Sequence, residues 1–281
     1  MAVAFILAGV LLYWLLVTTE GAYLGARVVA MLYNWVAGRY DTMKRFDPRM
    51  EEIFLTRPML SALQGRPAPL VLDVATGTGR VPALLLAESA FSGQVVGLDF
   101  AREMLAVAAR KTADHGSRVT YIWQNAMRLP FPDACFDLVT CLEALEFMPH
   151  PEQVLREIVR VARPGSLVFV THRRGWERRV MPGKNWSEGD FRSLLEGVGL
   201  DEINLTPWQK DYSLAWGRTG DGLPKTTKVQ SGEYLCCLGC QRRPLIRDGS
   251  GLRCLNCDNY FAIAADGIIE MGATHLSRRR Q

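Results

Sequence analysis

The sequence predicts an α/β fold in which helices cover both faces of a mainly parallel sheet. Short continuous apolar runs alternate with helical patterns from Pro69 to Val170, a pattern typical of strands buried on both faces. One run, VLDV at residues 71–74, leads into the Thr- and Gly-rich turn ATGTG, as at the ligand-binding edge of such sheets. An uncharged N-terminal segment precedes this region, and two C-x-x-C pairs follow it.

Length and composition limit the possible classes of protein. The 281 residues suffice for one large α/β domain and one small additional module. The 33 basic and 29 acidic residues give a net charge of +4, too small to indicate a nucleic-acid partner without a localised basic patch. The run of three arginines at residues 278–280 is typical of a solvated terminus. Seven cysteines, four of them in C-x-x-C pairs, favour bound metal over a disulfide framework.

The N-terminus predicts a membrane anchor. Residues 2–19 carry no charge and would extend about 27 Å as a helix, close to the roughly 30 Å hydrocarbon core of a bilayer. Basic residues begin only at Arg27, which favours a single span at residues 1–38 with the remaining domains in the cytoplasm. Residues 21–38 either continue the span or lie along the membrane surface. The alternative is a helix buried against the domain.

The elements of the central domain, residues 39–206, follow from apolar runs and helical periodicity. Residues 40–63 predict one or two helices broken near Pro48 and Pro58. Predicted strands are Leu70–Ala75, Gln94–Asp99, Val119–Gln124, Phe136–Thr140 and Ser166–Thr171. Predicted helices are Val81–Ala90, Arg102–Lys111, Pro151–Ala162 and Glu188–Val198. Residues 207–231, rich in Gly, Pro, Thr and Lys, predict a linker, and 232–275 form a small cysteine-containing module.

The turn after the first strand predicts a ligand site. Gly77 and Gly79 permit a tight turn and a close backbone approach. Asp99 ends the next strand, 26 residues after Asp73, where a carboxylate would accept hydrogen bonds from ribose hydroxyls. The alternative role for Asp99 is to cap the helix that begins near Arg102.

Four segments resemble, in order and spacing, the motifs of class I S-adenosylmethionine-dependent methyltransferases. They are LDVATGTGR, VVGLDFAREMLAVAARK, NAMRLPFPDACFDLVTC and LREIVRVARPGSLVFV. The first two are most similar to the methyltransferase type 11 branch that contains the ubiquinone and menaquinone C-methyltransferases. The resemblance covers Leu70 to Leu200 and implies a Rossmann-like domain with a mainly parallel seven-stranded sheet that binds S-adenosylmethionine.

The resemblance also implies the cofactor-binding residues. They are Asp73, Ala75, Thr76, Gly77, Gly79, Asp99, Phe100, Met104, Asn125, Ala126, Met127 and Leu142. The glycine turn would hold the amino-acid end of the cofactor, Asp99 the ribose, residues 125–131 the adenine, and residues 141–149 would line the methyl-transfer site. Ala75 and Asn125 depart from the Gly and Asp that are common in the family. The carbonyl oxygen of Asn125 can still accept from the adenine amino group.

The catalytic residues are not assigned by the sequence. The sulfonium methyl is already activated, so the main requirement is a nucleophile held in line with it. A base is needed only for a hydroxyl or a weakly acidic carbon, and the candidates are Glu143, Glu146 and His172. Glu143 and Glu146 lie three residues apart and would share a face of a helical turn. The alternative is that one of them is a solvated acid at a helix start.

The cysteine pairs predict a structural zinc site. Thirteen residues separate the two C-x-x-C pairs, and four thiolates would complete a tetrahedral Zn²⁺ site. The ligands are Cys237, Cys240, Cys254 and Cys257. A redox dithiol is the alternative. The segment from Cys237 to the ending FAIAADGIIEM is similar to the small zinc-ribbon proteins that activate tRNA, rRNA and protein methyltransferases.

Together these patterns favour a membrane-anchored methyltransferase acting on a lipid-soluble acceptor, such as a quinone-like, isoprenoid or lipid compound. A second hypothesis, supported by the zinc ribbon, is methylation of RNA or a translation protein. The near-neutral charge and the lack of an Asn/Asp-Pro-Pro-Tyr/Phe motif argue against it. A third is a non-catalytic scaffold with a methyltransferase fold, and the intact cofactor motifs argue against that.

Overall fold

The computed structural model describes residues 1–220 and 234–272. The part before the sheet is helical, with short π- and 3₁₀-helical turns between α-helices. Its elements are α1 (Ala2–Tyr13), a π-helical turn (Trp14–Thr18), α2 (Ala26–Val36), a 3₁₀ turn (Ala37–Arg39), α3 (Tyr40–Lys44), α4 (Pro48–Glu51), a second π-helical turn (Glu52–Thr56) and α5 (Arg57–Leu63). Pro48 is the first residue of α4, where its missing N–H is not needed.

Strands and helices alternate through the central domain. They are β1 (Leu70–Val74), α6 (Arg80–Ala87), β2 (Gln94–Asp99), α7 (Arg102–Lys111), β3 (Val119–Trp123), β4 (Phe136–Cys141), α8 (Pro151–Val161), β5 (Ala162–Arg173), α9 (Glu177–Val180), α10 (Glu188–Gly197), β6 (Leu200–Pro207) and β7 (Tyr212–Thr219). The C-terminal module adds β8 (Leu245–Asp248), β9 (Gly251–Cys254), β10 (Tyr260–Ile263) and β11 (Ile269–Glu270). All five predicted strands and all four predicted helices of the domain are present.

The strands form one mixed sheet in the order β6-β7-β5-β4-β1-β2-β3-β11-β10-β9-β8. Strands β1 to β5 are parallel to one another, and β7 runs antiparallel between β5 and β6. The seven domain strands are therefore mainly parallel, and the α/β Rossmann-like prediction is confirmed. Because α8 and α10 pack on one face and α5 and α6 on the other, the carboxyl ends of β1, β2 and β4 remain open for a ligand.

The predicted linker is wrong for its first part. Residues 212–219 form β7, whose side chains are almost all buried between β5 and β6. The Gly and Pro residues that predicted a linker flank this strand, so composition averaged over the whole segment hid a short buried run. Residues 221–231 of the predicted linker lie outside the described residues.

The C-terminal module is continuous with the domain sheet. β11 pairs in parallel with β3, and Ile269 lies opposite Ile122. The hydroxyl of Tyr234 donates to Thr120 Oγ1 at 3.0 Å, and its ring packs near Phe131. The module therefore covers the edge strand β3, which would otherwise expose unpaired backbone groups.

The N-terminal helices are attached to the domain. The indole N–H of Trp14 donates to the carbonyl of Val180 at 3.0 Å. The chain turns at Glu20, which has a φ of 49°, and the hydroxyl of Tyr23 donates to the carbonyl of Pro182 at 2.7 Å. The segment that follows α1 is thus held against the loop between α9 and α10.

The prediction of a single membrane span at residues 1–38, and of the localisation that depended on it, is wrong. No helix within residues 1–220 and 234–272 has both the length and the apolar composition that a bilayer crossing needs. The first helical segment ends at Thr18, after 12 α-helical and 5 π-helical residues. α2 is a separate helix that packs on α7. The prediction failed because hydropathy records composition and does not show where a helix ends, and here the helical run stops at Thr18.

Candidate active site

The turn after β1 is built around a buried carboxylate. Asp73 accepts hydrogen bonds from the hydroxyl of Thr140 at 2.5 Å and from that of Thr76 at 2.6 Å. Burial raises the pKa of Asp73 to about 6, although both hydroxyls oppose the shift. Asp73 therefore fixes the turn to β4.

The two glycines of the turn have different roles. Gly77 and Gly79 both have a positive φ, of 54° and 74°, which side chains disfavour. A Cβ at Gly79 would lie 2.8 Å from the Tyr121 hydroxyl and 2.9 Å from Ala108 Cβ, so the turn packs closely on β3 and α7. Gly77 instead lines an open cleft, where its bare backbone leaves room for a ligand.

This cleft lies at the carboxyl ends of β1, β2 and β4. Eight of the predicted cofactor residues line it: Ala75, Gly77, Asp99, Phe100, Met104, Asn125, Ala126 and Leu142. Asp73 and Thr76 line a smaller recess that shares Ala75 and Gly77 with the cleft. Gly79 and Met127 belong to neither lining. The structure therefore gathers most of the predicted cofactor residues in one place.

Asp99 connects the turn to the start of α7. Its carboxylate accepts from the backbone N–H of Gly77 at 2.8 Å and from that of Ala101 at 2.7 Å. Burial raises its pKa, and these backbone donors oppose the shift. The residue that precedes α7 is Ala101, so Asp99 satisfies a backbone group near the helix start while also lining the cleft.

Asn125, which follows β3 and lines the cleft, holds its own backbone in a turn. Its side-chain carbonyl accepts from the backbone N–H of Met127 at 2.9 Å. Asn125 therefore already uses one of the two lone pairs of this oxygen, and the second remains for a ligand donor such as an amino group.

The roof of the cleft is α2, which the sequence had placed in a membrane anchor. One face of α2 lines the cleft through Ala26, Val29, Ala30 and Tyr33, at the i, i+3, i+4, i+7 spacing of one helical face. The side-chain carbonyl of Asn34 accepts from the backbone N–H of Glu103 at 2.9 Å. This contact attaches α2 to α7, the helix that begins just after the cleft acid Asp99.

The floor of the cleft carries a compact ion network around Glu143. Its carboxylate accepts from Lys44 Nζ at 2.8 Å, from Arg80 at 2.7 Å and from Gln209 Nε2 at 3.2 Å. Arg80 also pairs with Glu51. Burial alone would raise the pKa of Glu143, but Lys44 and Arg80 lower it below its ordinary value. Glu143 is thus a persistent carboxylate.

A second network joins Glu146 to the N-terminal segment. Arg173 Nε donates to Glu146 at 2.8 Å, and the hydroxyl of Tyr212 donates to it at 2.6 Å. Arg173 also pairs with Glu20 at 3.1 Å, and Tyr33 donates to Glu20 at 2.6 Å. Glu146 is 1% exposed and is not among the residues that line the cleft. The third candidate, His172, lies against Phe191 of α10 and also outside the lining.

Comparison with known proteins identifies the family. Residues 72–170 match the family described as a methyltransferase domain. The ubiquinone/menaquinone biosynthesis C-methyltransferase UbiE of Bordetella parapertussis is 31% identical over 206 residues, which cover 67% of this chain and 80% of that protein. The chain belongs to the S-adenosylmethionine-dependent methyltransferases.

Two further comparisons limit what can be said of this chain beyond its family. The demethylmenaquinone methyltransferase of Thermus thermophilus is 36% identical over 139 residues, so the present methyltransferase spans 63% of that relative's length. A crystal structure of the cyclase SpnF is 18% identical, covers 70% of this chain and 98% of its own, and has a TM-score of 0.58. The second likeness shows the fold alone, since only 18% of the aligned residues are identical.

The four predicted metal ligands of the methyltransferase meet at one point. The sulfur atoms of Cys237, Cys240, Cys254 and Cys257 all lie within 4.8 Å of one another. Two of these pairs are 3.4 and 3.5 Å apart, near the roughly 3.8 Å that tetrahedral thiolates at about 2.3 Å from Zn²⁺ would have. Cys237 also accepts from the backbone N–H of Gly239 at 3.4 Å. The cluster is consistent with bound zinc.

Sequence reasoning missed the residues that surround Glu143. Lys44 and Arg80 come from α3 and the start of α6, and Gln209 from the turn before β7. The sequence offered one signal: Arg80 directly follows the glycine turn. Lys44 and Gln209 had none, because their positions depend on how α3 and β7 pack on the sheet.

Proposed function

We propose that this methyltransferase binds S-adenosylmethionine in the cleft beneath α2 and methylates a lipid-soluble small molecule there, of the quinone-like, isoprenoid or lipid class. The observation that carries the proposal is the composition of the cleft. Among the described residues that line it, Asp99 and Glu143 are the only charged ones, and the rest are mainly apolar or aromatic. Small-molecule sites commonly combine such a lining with a few fixed polar groups.

In this proposal the cofactor lies along the glycine turn. Asp99 accepts from the ribose hydroxyls, Phe100 and Met104 pack on the adenine, and Asn125 accepts from its amino group. Ala75 and Gly77 border the amino-acid end, next to the recess that reaches Arg80. The apolar face of α2 closes over this position and excludes water, which strengthens every electrostatic contact beneath it.

The acceptor lies between the cofactor and aromatic side chains that line the cleft. Tyr33 lies 5.9 Å from Tyr40 and 5.9 Å from Phe147 between ring centroids, and all three rings line the cleft. Offset and edge-to-face rings at such distances favour planar or apolar ligands. The names of the Thermus and Bordetella relatives contain menaquinone and ubiquinone, which supports a quinone-like acceptor.

The cofactor would supply an electrophilic methyl group, and the chain supplies position. We assign Glu143 an orienting role: its lowered pKa makes it a poor proton acceptor at neutral pH. With Lys44 and Arg80 it fixes α3 against the start of α6. Glu146 holds Arg173 and Tyr212 beneath the roof. Holding the reactants in line in this way can supply about 7–11 kcal/mol of the barrier.

We also infer that the cysteine cluster holds a structural Zn²⁺. Four thiolates fill a tetrahedral shell and leave no open position for catalysis. Since β11 of this module pairs with β3, the metal would stabilise the edge of the sheet next to the adenine end of the cleft.

The acceptor class is tested with purified full-length protein, methyl-labelled S-adenosylmethionine, and cell extract of the native host divided into lipid, RNA and protein. We expect label in the lipid fraction. Asp99→Ala should abolish the labelling, because its cofactor-binding carboxylate is removed. Glu196→Ala, which removes an exposed acid of α10, should leave labelling unchanged. Label in RNA or protein instead would contradict the proposed acceptor.

A further inference from the structure

A second recess, outside the cleft, is rich in arginine and tryptophan. It is lined by residues from the end of β5, from α9 and from the start of α10, including Arg174, Arg178, Arg179, Trp176 and Trp186. We call it the arginine recess. A cluster of this composition has no role in holding the cofactor, because none of these residues lines the cleft beneath α2.

The arginine recess carries positive charge that the described residues do not neutralise. Arg178 donates to the backbone carbonyl of Trp186 at 3.3 Å, which fixes the two sides of the recess. In residues 1–220 and 234–272, the guanidinium groups of Arg174 and Arg179 have no hydrogen bond or ion pair. Among the lining side chains that the structure describes, Glu188 has the one carboxylate. The recess therefore favours an anion of more than one charge.

A buried histidine points to the same conclusion. His172 lines the arginine recess and is 2% exposed. Neither of its ring nitrogens makes a well-formed hydrogen bond within the described chain. Buried polar atoms nearly always have a hydrogen-bond partner, so the two ring nitrogens of His172 indicate that a partner from outside the chain binds here. A ligand oxygen in the recess would provide it.

The arginine recess and the cleft both border a third depression. Pro149 lines both the cleft and this groove. Trp186 lines both the groove and the arginine recess. An extended ligand that lies along the groove would contact the cleft with one end and the recess with the other.

We propose that the arginine recess binds a phosphate group carried by the methyl acceptor, while the reacting end of the acceptor lies in the cleft. Guanidinium groups match phosphate oxygens in geometry and charge, and His172 adds a further donor. The exposed Trp176 and the half-buried Trp186 would cover the apolar part of the molecule next to its phosphate. This inference rests on the proposed function, which it narrows to acceptors with a phosphate at the end remote from the methylated atom.

The first test measures binding without any acceptor. Inorganic phosphate and glycerol 1-phosphate are titrated into the full-length protein by calorimetry. We expect both to bind, and Arg174→Ala or Arg179→Ala to weaken binding about tenfold, the loss of one charge-assisted hydrogen bond. Arg110→Ala, which removes an exposed arginine of α7, should change nothing. Equal binding by all four proteins, or no binding, would overturn the assignment.

The second test asks whether the phosphate belongs to the acceptor. In the labelling assay, glycerol 1-phosphate should compete with the acceptor, and Arg174→Ala should raise KM for the acceptor and leave kcat nearly unchanged. Phosphate that binds without affecting methylation would show a site for a free anion and overturn the proposal. So would tighter binding of a short oligoribonucleotide to the same arginines. Label that enters RNA or protein would contradict the proposed acceptor, whereas the calorimetry would still report on the recess itself.

Discussion

Replacing Cys237 with serine should remove the metal and unfold the C-terminal module. Four thiolates are within 4.8 Å of one another, and structural zinc contributes about 10–16 kcal/mol in small modules of this kind. Metal analysis should find about one zinc per wild-type chain and almost none in the variant. The apparent melting temperature should fall, because β11 loses the support that holds it against β3.

The neighbouring Cys236 provides a matched control. It is also buried and has a thiol, but its sulfur is not one of the four that meet. Cys236→Ser should retain the zinc. A wild-type protein that contains no metal, or equal metal loss in both variants, would contradict the assignment of the cluster.

Replacing Glu143 with glutamine should lower the free energy of unfolding by about 3 kcal/mol near neutral pH. The carboxylate is 5% exposed and pairs with Lys44 and Arg80, and removal of one partner leaves buried cations that are poorly compensated. Urea denaturation measures the difference. Glu52→Gln, which breaks the exposed pair with Arg57, should cost at most about 1 kcal/mol. Similar losses in both variants would contradict the account of the network.

The effect of Glu143→Gln should depend on pH in a defined direction. The pKa of Glu143 is lower in the folded state than its ordinary value, so the ionised group stabilises the fold above that ordinary value, about 4.3. This contribution is lost as the pH falls through the folded pKa. The stability difference between wild type and variant should therefore shrink on acidification. If the stability difference between wild type and variant grew as the pH fell, the pKa of Glu143 would be raised in the folded state instead of lowered.

The sheet could be predicted because its signals are local. Each strand from β1 to β5 contains a short apolar run, and the helices between them have a clear period. β7 was missed because Tyr212–Thr219 lies between Gly- and Pro-containing turns and has a mixed composition. Its place in the sheet is decided by pairing with β5 and β6, which no local pattern records.

The sequence predicted only those residues of the candidate site that belong to the methyltransferase motifs. Asp99, Gly77 and Phe100 follow from the resemblance, and they line the cleft. The roof was missed because the face of α2 that includes Val29 is apolar for contact with the domain, and the sequence gives the same signal for contact with lipid. Lys44 entered no prediction, because its partner is 99 residues away.

Hydrogen–deuterium exchange with and without S-adenosylhomocysteine shows whether α2 closes the cofactor cleft. We expect the ligand to slow exchange in the peptides covering residues 26–36 and 98–104 together, and to leave residues 245–254 of the C-terminal module unchanged. Protection of residues 98–104 without protection of 26–36 would show that α2 is no part of the cofactor site.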